Sequence, residues 1–355
     1  FTISVSPKNP ANLTPSLTTG NITTTAPSSR VTLTSEGTIT ANGALTTGGG
    51  DLTVKALSSL EIKNDITTSG GKVDITGDKI AITGNSVGMK VTTGGGELSV
   101  RSSNGIDITK SNIDTSLSNK KGGDVTFIAD KGDINLSDSK ITSKNSGTVG
   151  FSRIWVESLD GSTKLTGTTV TAENTSDASS AAGDILINAS QNIEINSSTL
   201  STNGKLGRIF VGFSGIPAST DPTTNDPTPK IVTIFKGNLT TTNEVINGNE
   251  NSGNITIKAG QVALIEAAVN ASTTGKGAAG EIAITATAKN PDSDTAALTV
   301  DNSQITATTS NSGNAGNLSL TANSGDIALR SNSTVSTSSS ASKSDDTSKV
   351  GDAGT

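Results

Sequence analysis

The stretch GGDVTFIADKGDINLSDSKITS, residues 122–143, decides how this chain is read. Two glycines lead into Asp124, and Val125 and Phe127 then flank one polar residue. Ile134 and Leu136 repeat that spacing, and Ile141 follows a short Asp-Ser-Lys link. In an extended strand successive side chains point to opposite faces, so an apolar-x-apolar triplet places both apolar groups on one side. The residues between triplets are mostly Gly, Asp and Ser, which favour turns.

The same unit recurs along the chain as GGGDLTV (48–54), GGKVDI (70–75) and GGGELSV (94–100). A related form follows as AAGDILI (181–187), NSGNITI (251–257), AAGEIAI (278–284) and NAGNLSL (314–320). Each unit continues alike: after Leu98 and Val100 come Ile106 and Ile108, then Ile113; after Ile185 and Ile187 come Ile193 and Ile195, then Leu200. Three short strands per unit, bent around a common axis, turn every apolar residue inward. Stacking the units pairs each strand with its equivalents in parallel at about 4.8 Å.

The predicted fold is an all-β, right-handed parallel β-helix, its hand taken from the crossover rule. It has about a dozen rungs of three short strands and a length of about 60 Å. Starts near residues 31, 52, 73, 98, 125, 154, 185 and 209 predict a constant inner rung with outer loops of varying length. The glycines are expected to take tight or left-handed backbone at the corners, with Asn and Asp next best.

Composition agrees with a slender core. The chain has 355 residues, of which 31% are hydrophobic and only 2% aromatic, too few large side chains for one thick interior. The net charge of -6 is spread over interspersed acids and lysines, so no basic stripe for nucleic acid is present. No apolar run approaches the roughly 20 residues that span a bilayer. The absence of Cys fits either an exported bacterial protein or one that needs no crosslinks.

With neither His nor Cys, the Ser-His-Asp, Cys-His and His-metal arrangements are impossible, and no catalytic residue, metal or cofactor is predicted. The carboxylates Asp74, Asp107, Asp124, Asp133 and Asp184 stand at or beside turns. A carbohydrate-acting β-helix enzyme could recruit such acids, yet the chain lacks sugar-stacking aromatics and its five arginines are scattered. GGGDLTV resembles a calcium-binding nonapeptide only superficially, because a spacing of nine never repeats.

Residues 212–236 break the pattern with Pro217, Pro222, Pro227 and Pro229, and are expected to form an extra-helical loop, since proline cannot donate to a central ladder. Most aromatics lie around it. The strings SRIWV (152–156) and GRIFV (207–211) match, which predicts Trp155 and Phe210 on the same side two rungs apart. Trp155, Phe210 and Phe213 form either a recognition patch or a cover over the sheet face, packed against the loop.

The chain opens without Met or a signal peptide and closes on GDAGT (351–355), which looks like a fresh rung. It therefore reads as one continuous β-helix, residues 1–355, belonging to something longer.

The repeated Gly-acid-apolar-x-apolar units, with Asn-Ser-Gln-Ile (302–305) and GNAGNLSL, resemble the repeat region of filamentous-haemagglutinin-type exoproteins of bacterial two-partner secretion. The resemblance spans nearly the whole chain as a style of repeat. It implies export through an outer-membrane partner to the medium or the bacterial cell surface. It further implies a role in attachment, aggregation or toxin display, with a cell-surface or glycan ligand or self-association. The secretion domain of that family, with its Asn-Pro-Asn-Gly-type signature, is not visible; Lys8-Asn9-Pro10-Ala11 is not that motif. Sequons at Asn12, Asn21, Asn174, Asn188, Asn196, Asn238, Asn254, Asn270, Asn317 and Asn332 are candidate glycan acceptors, as in some adhesins of the family.

Overall fold

The computed structural model describes residues 1–6, 15–117, 122–145, 152–174, 182–212, 229–244, 249, 251–287 and 296–340. Among these residues every regular element is a strand. The strands assemble into three sheets of 12 strands each, all pairings parallel, and every third strand in the chain returns to the same sheet. This is a parallel β-helix. We call the sheets A, B and C in chain order and the turns rungs 1 to 12. Rung 1 comprises Thr2–Val5, Ser16–Thr19 and Ile22–Thr23; rung 12 comprises Leu318–Ala322, Ile327–Arg330 and Thr334–Ser339.

Register follows the triplets. Leu52, Val73, Leu98, Val125, Ile154, Ile185, Ile209, Ile255 and Ile282 stack in one inward column of sheet A, each at most 1% exposed. Sheets B and C supply equivalent columns, including Ile80, Ile106 and Ile134, and Ile113, Ile141 and Val170. Each side chain meets a similar one above and below, so a narrow interior stays close-packed; a fully buried aliphatic contributes about 1.5–3 kcal/mol.

Glycine supplies positive φ at other corners, as at Gly70, Gly94, Gly105 and Gly132, but the corner between sheets B and C departs from that expectation. Between sheets B and C, rungs 5 to 11 turn on one residue with φ near +50°. These residues are Lys110 (49°), Asp138 (47°), Gly167 (57°), Ser197 (48°), Lys236 (52°), Glu266 (52°) and Asn302 (45°). Only one is glycine. Each donates its N–H to a carbonyl of the next rung, for example Ser197 to Phe235 at 2.9 Å and Glu266 to Asp301 at 2.9 Å. That bond carries the ladder around the corner and offsets the roughly 1–2 kcal/mol cost of the conformation. At five of these corners a buried Ser or Thr comes next. Ser303 donates its hydroxyl to the Asp301 carbonyl at 2.8 Å and accepts the Ala267 N–H at 2.9 Å. Ser111, Ser139, Thr168 and Ser198 occupy the same place, which gives the Asn-Ser-Gln-Ile string its physical meaning.

At the corner from sheet C to sheet A glycine acts in a second way, through close approach. Gly71, Gly96, Gly123, Gly280 and Gly316 have ordinary φ, but a Cβ on any of them would overlap the carbonyl of the stacked residue one rung back. That carbonyl is held in place from inside. Thr68 donates its hydroxyl to Gly71 O at 2.6 Å, Thr115 to Gly123 O at 2.6 Å and Thr241 to Gly253 O at 2.6 Å. The Asp or Asn that follows the glycine bonds forward. Asp51 Oδ1 accepts the Lys72 N–H at 3.0 Å, Asp124 Oδ1 the Arg153 N–H at 2.9 Å, and Asn254 Oδ1 the Glu281 N–H at 2.9 Å.

The proline-rich stretch is shorter than expected. Ile231–Phe235 is a regular strand of sheet B, between Asn192–Asn196 and Gln261–Ile265, because Val232 and Ile234 continue the inward column. Residues 213–228 lie outside the described residues.

Candidate functional site

The outward face of sheet A changes character at rungs 7 to 9. Elsewhere on the facing column stand Thr53, Asp74, Ser99, Thr126 and Thr256, but here Trp155, Leu186 and Phe210 succeed one another in register. Trp155 and Phe210 are thus two rungs apart on one side, with Leu186 between them. Trp155 is half-buried, Phe210 is 9% exposed and Leu186 is 1% exposed. Both faces of the strand Asp184–Ala189 are buried. Phe213 lies outside the described residues.

Charged groups frame this column. On the rung-to-rung column beside it, Arg208 closes on Asp184 with Nε 3.1 Å from Oδ1 and Nη2 2.6 Å from Oδ2, and its backbone N–H donates to Oδ1 at 3.2 Å. The guanidinium carbon lies 5.2 Å from the Phe210 ring centroid. The hydrogen bond to Asp184 raises the Arg208 pKa against the opposing effect of burial, and the carboxylate charge adds to the rise. On the other flank Asn188, fully buried, donates Nδ2 to Glu157 Oε1 at 2.9 Å, and Glu157 is 4% exposed.

These contacts orient and neutralise the polar groups of the patch. The remaining flagged acids are likewise engaged. Asp107 Oδ1 accepts from Asn135 Nδ2 at 2.8 Å, and Asp133 Oδ1 accepts the Ser162 N–H at 2.8 Å. Asp124 bonds forward to Arg153, and Asp74, exposed, is 3.5 Å from Thr76 Oγ1. Among the described residues no group of three or more acids is placed to hold a metal ion, and no helix is long and apolar enough to cross a membrane.

Burial also sorts the sequons. Asn188 has its Nδ2 inside the protein and Asn174 is 7% exposed, whereas Asn238, Asn254, Asn317 and Asn332 are exposed. Asn12 lies outside the described residues.

Leu186 is the member of the column that the aromatic residues of the sequence do not point to. Its signal is three consecutive large apolar residues, Ile185-Leu186-Ile187, as in Ile154-Trp155-Val156 and Ile209-Phe210-Val211, where the other rungs of sheet A place Thr, Asp, Ser or Ala in the middle.

Fold and surface together define a parallel β-helical rod with one apolar, ion-paired patch on sheet A. No protein-family model, no curated protein and no solved structure matches the chain.

Proposed function

We propose that this chain is the stiff shaft of a secreted or cell-surface bacterial attachment protein, a non-catalytic spacer that holds a binding element away from its anchor. The observation that carries the reading is the continuity of all three sheets over 12 strands, with hydrogen bonds that persist around the corners. Such a ladder resists bending and resists local opening. The engagement of Asp107, Asp124, Asp133 and Asp184 in rung-to-rung bonds supports the non-catalytic part. The likeness of the repeats to filamentous-haemagglutinin-type exoproteins supports surface location and export through an outer-membrane partner.

A second reading, a self-assembling extracellular fibre or coat, draws on the outer face of sheet C. There Thr46, Thr67, Thr92, Thr142, Thr171, Ser201, Thr240, Thr306 and Ser336 are stacked in a single column with Asp114 and Asn270. Hydroxyls in register at the strand spacing, apart from that of the buried Thr142, suit lateral contact between rods.

The deciding experiment incubates the purified chain with cells and immobilised glycans, beside a variant without residues 213–228 in which every described strand is kept. Saturable binding lost in the variant supports attachment. Ordered polymers formed by the isolated chain support the fibre. Release of oligosaccharides would overturn the non-catalytic reading altogether.

A further inference from the structure

The corner between sheets B and C is enlarged in rung 4. Thr83 and Met89 pair with Thr109 and Ser111 of rung 5, which are separated by Lys110 alone, whereas residues 84–88 stand between Thr83 and Met89. This loop closes on itself, with the Gly88 N–H donating to Asn85 O at 3.0 Å and the Val87 N–H to Asn85 Oδ1 at 2.9 Å. It projects Val87 outward, 92% exposed. Beside it a recess of about 540 Å³ opens over the plainer corners of the following rungs. Lys90, Lys110 and Lys140 line it together with Val87, Asn112 and Asp138.

The recess gathers three lysines. On a chain of net charge -6, lysines such as Lys72, Lys144 and Lys164 meet a glutamate of the next rung, Glu97, Glu173 and Glu194. Among the described residues none of Lys90, Lys110 and Lys140 has a carboxylate within ion-pair distance. Lys90 and Lys140 occupy one outward column of sheet C with Asn112 between them, about 10 Å apart along the rod. Asp65, one rung before Lys90, directs its Oδ1 to the Lys90 backbone N–H. Asp138 is the carboxylate that shares the recess.

We propose that this recess binds a phosphorylated sugar, free or as a unit of a glycan. Three ammonium groups on concave walls concentrate positive potential where the surroundings are acidic. A phosphate monoester brings a charge of about -1.5 to -2 and three strong acceptor oxygens, which flexible lysines meet as point charges. A bare oxyanion leaves Asp138 facing a like charge. A sugar attached to the phosphate resolves that, since its hydroxyls donate to Asp138 and exchange bonds with Asn112, while the Val87 side chain offers an apolar surface to a ring face. The volume falls in the roughly 300–1,000 Å³ range of small-ligand sites. The proposal goes beyond the attachment reading and does not depend on it.

The test is calorimetric titration of the full chain at about 0.15 M salt, where distant surface charges are screened. The probes are a hexose 6-phosphate, inorganic phosphate and the unphosphorylated hexose. The expected result is saturable binding of the hexose phosphate at one site, weaker binding of phosphate and none of the hexose. Joint replacement Lys90→Gln and Lys140→Gln weakens the hexose phosphate by at least about tenfold, with circular dichroism unchanged. Asp138→Asn, a residue that the left-handed corner accepts, narrows the gap between hexose phosphate and inorganic phosphate. Lys131→Gln, an exposed lysine outside the recess, leaves binding as it was. The proposal is overturned by absence of saturable binding, by equal affinity for the two phosphates, or by binding that survives the double replacement.

Discussion

Arg208 grips Asp184 from the next rung through two parallel contacts, Nε to Oδ1 at 3.1 Å and Nη2 to Oδ2 at 2.6 Å, beneath which Asp184 is only 2% exposed. Removing the arginine strands a buried carboxylate. Arg208→Ala is therefore expected to lower stability by about 2–3 kcal/mol, below the range for a fully buried pair because part of the Arg208 side chain reaches water. Asp184→Asn keeps an acceptor for the Arg208 N–H and should lose less. Chemical denaturation of the two variants checks the order; equal losses would refute this account.

Gly70 and Gly71 are adjacent yet irreplaceable for different reasons. Gly70 has φ of +107° and open space around its Cβ position, whereas Gly71 has an ordinary φ and a Cβ there would overlap the Gly50 carbonyl. Gly→Ala at an unstrained site usually stabilises, by restricting the unfolded chain. Here both substitutions are expected to destabilise, Gly71→Ala by about 1–3 kcal/mol through overpacking and Gly70→Ala by about 1–2 kcal/mol through backbone strain. Thermal melting reads both, and a rise in midpoint for Gly71→Ala is the result that would contradict the stacking argument.

The inward columns were legible because apolar-x-apolar spacing is a direct image of a two-residue period, and the starts at Val31, Leu52, Val73, Leu98, Val125, Ile154, Ile185 and Ile209 are the first inward residues of sheet A. The left-handed corners were not legible, since Lys110, Ser197 and Glu266 have no local preference for that backbone. What holds them is a hydrogen bond to a residue of the next rung 27 or more positions ahead in sequence, such as Ser197 to Phe235. The strand Ile231–Phe235 was hidden by the prolines before it. The patch on sheet A was half legible: its aromatics stand out in a chain with few, whereas Leu186 and the partner of Asp184 emerge only when rungs are stacked.

Lys72 offers a pH test. Its hydrogen bond to Glu97, at 2.6 Å, raises its pKa, the charge of Glu97 adds to that, and slight desolvation opposes it. The folded state thus favours the charged amine. The contact supports the fold fully below the ordinary lysine pKa and loses its effect as pH climbs through the elevated value. Following the Lys72 side chain by NMR, Glu97→Gln should bring its titration down; an unmoved midpoint would show that Glu97 is not the cause.

Ser197 holds φ of 48° at a corner where the aligned residue of the preceding rung, Gly167, is glycine. Only its backbone N–H carries the ladder there, bonding to Phe235 O at 2.9 Å. Ser197→Gly should therefore relieve strain and raise stability by about 0.5–1 kcal/mol after the entropy cost of glycine, while Ser197→Val should lower it by at least about 1 kcal/mol. A matched pair of urea midpoints measures the two directions. Loss of stability in Ser197→Gly would mean that the left-handed corner carries no strain.

Trp155, Leu186 and Phe210 separate cover from recognition surface by how they fail. Leu186 faces away from the interior yet is 1% exposed, and Phe210 on the next rung is 9% exposed with a guanidinium over its ring. If the column is a cover, Leu186→Ala costs about 2–3 kcal/mol, as for a core leucine, and Phe210→Ala costs about 3 kcal/mol or more. Trp155, half-buried at the edge of the column, then loses less when replaced by alanine. If the column is a recognition surface, Trp155→Ala abolishes binding to cells or glycans while the unfolding midpoint stays put. Burial of Leu186 and Phe210 favours the cover. Unfolding and binding measured on the same three alanine variants separate these outcomes, and wild-type stability in Leu186→Ala would be the result that removes the cover from consideration.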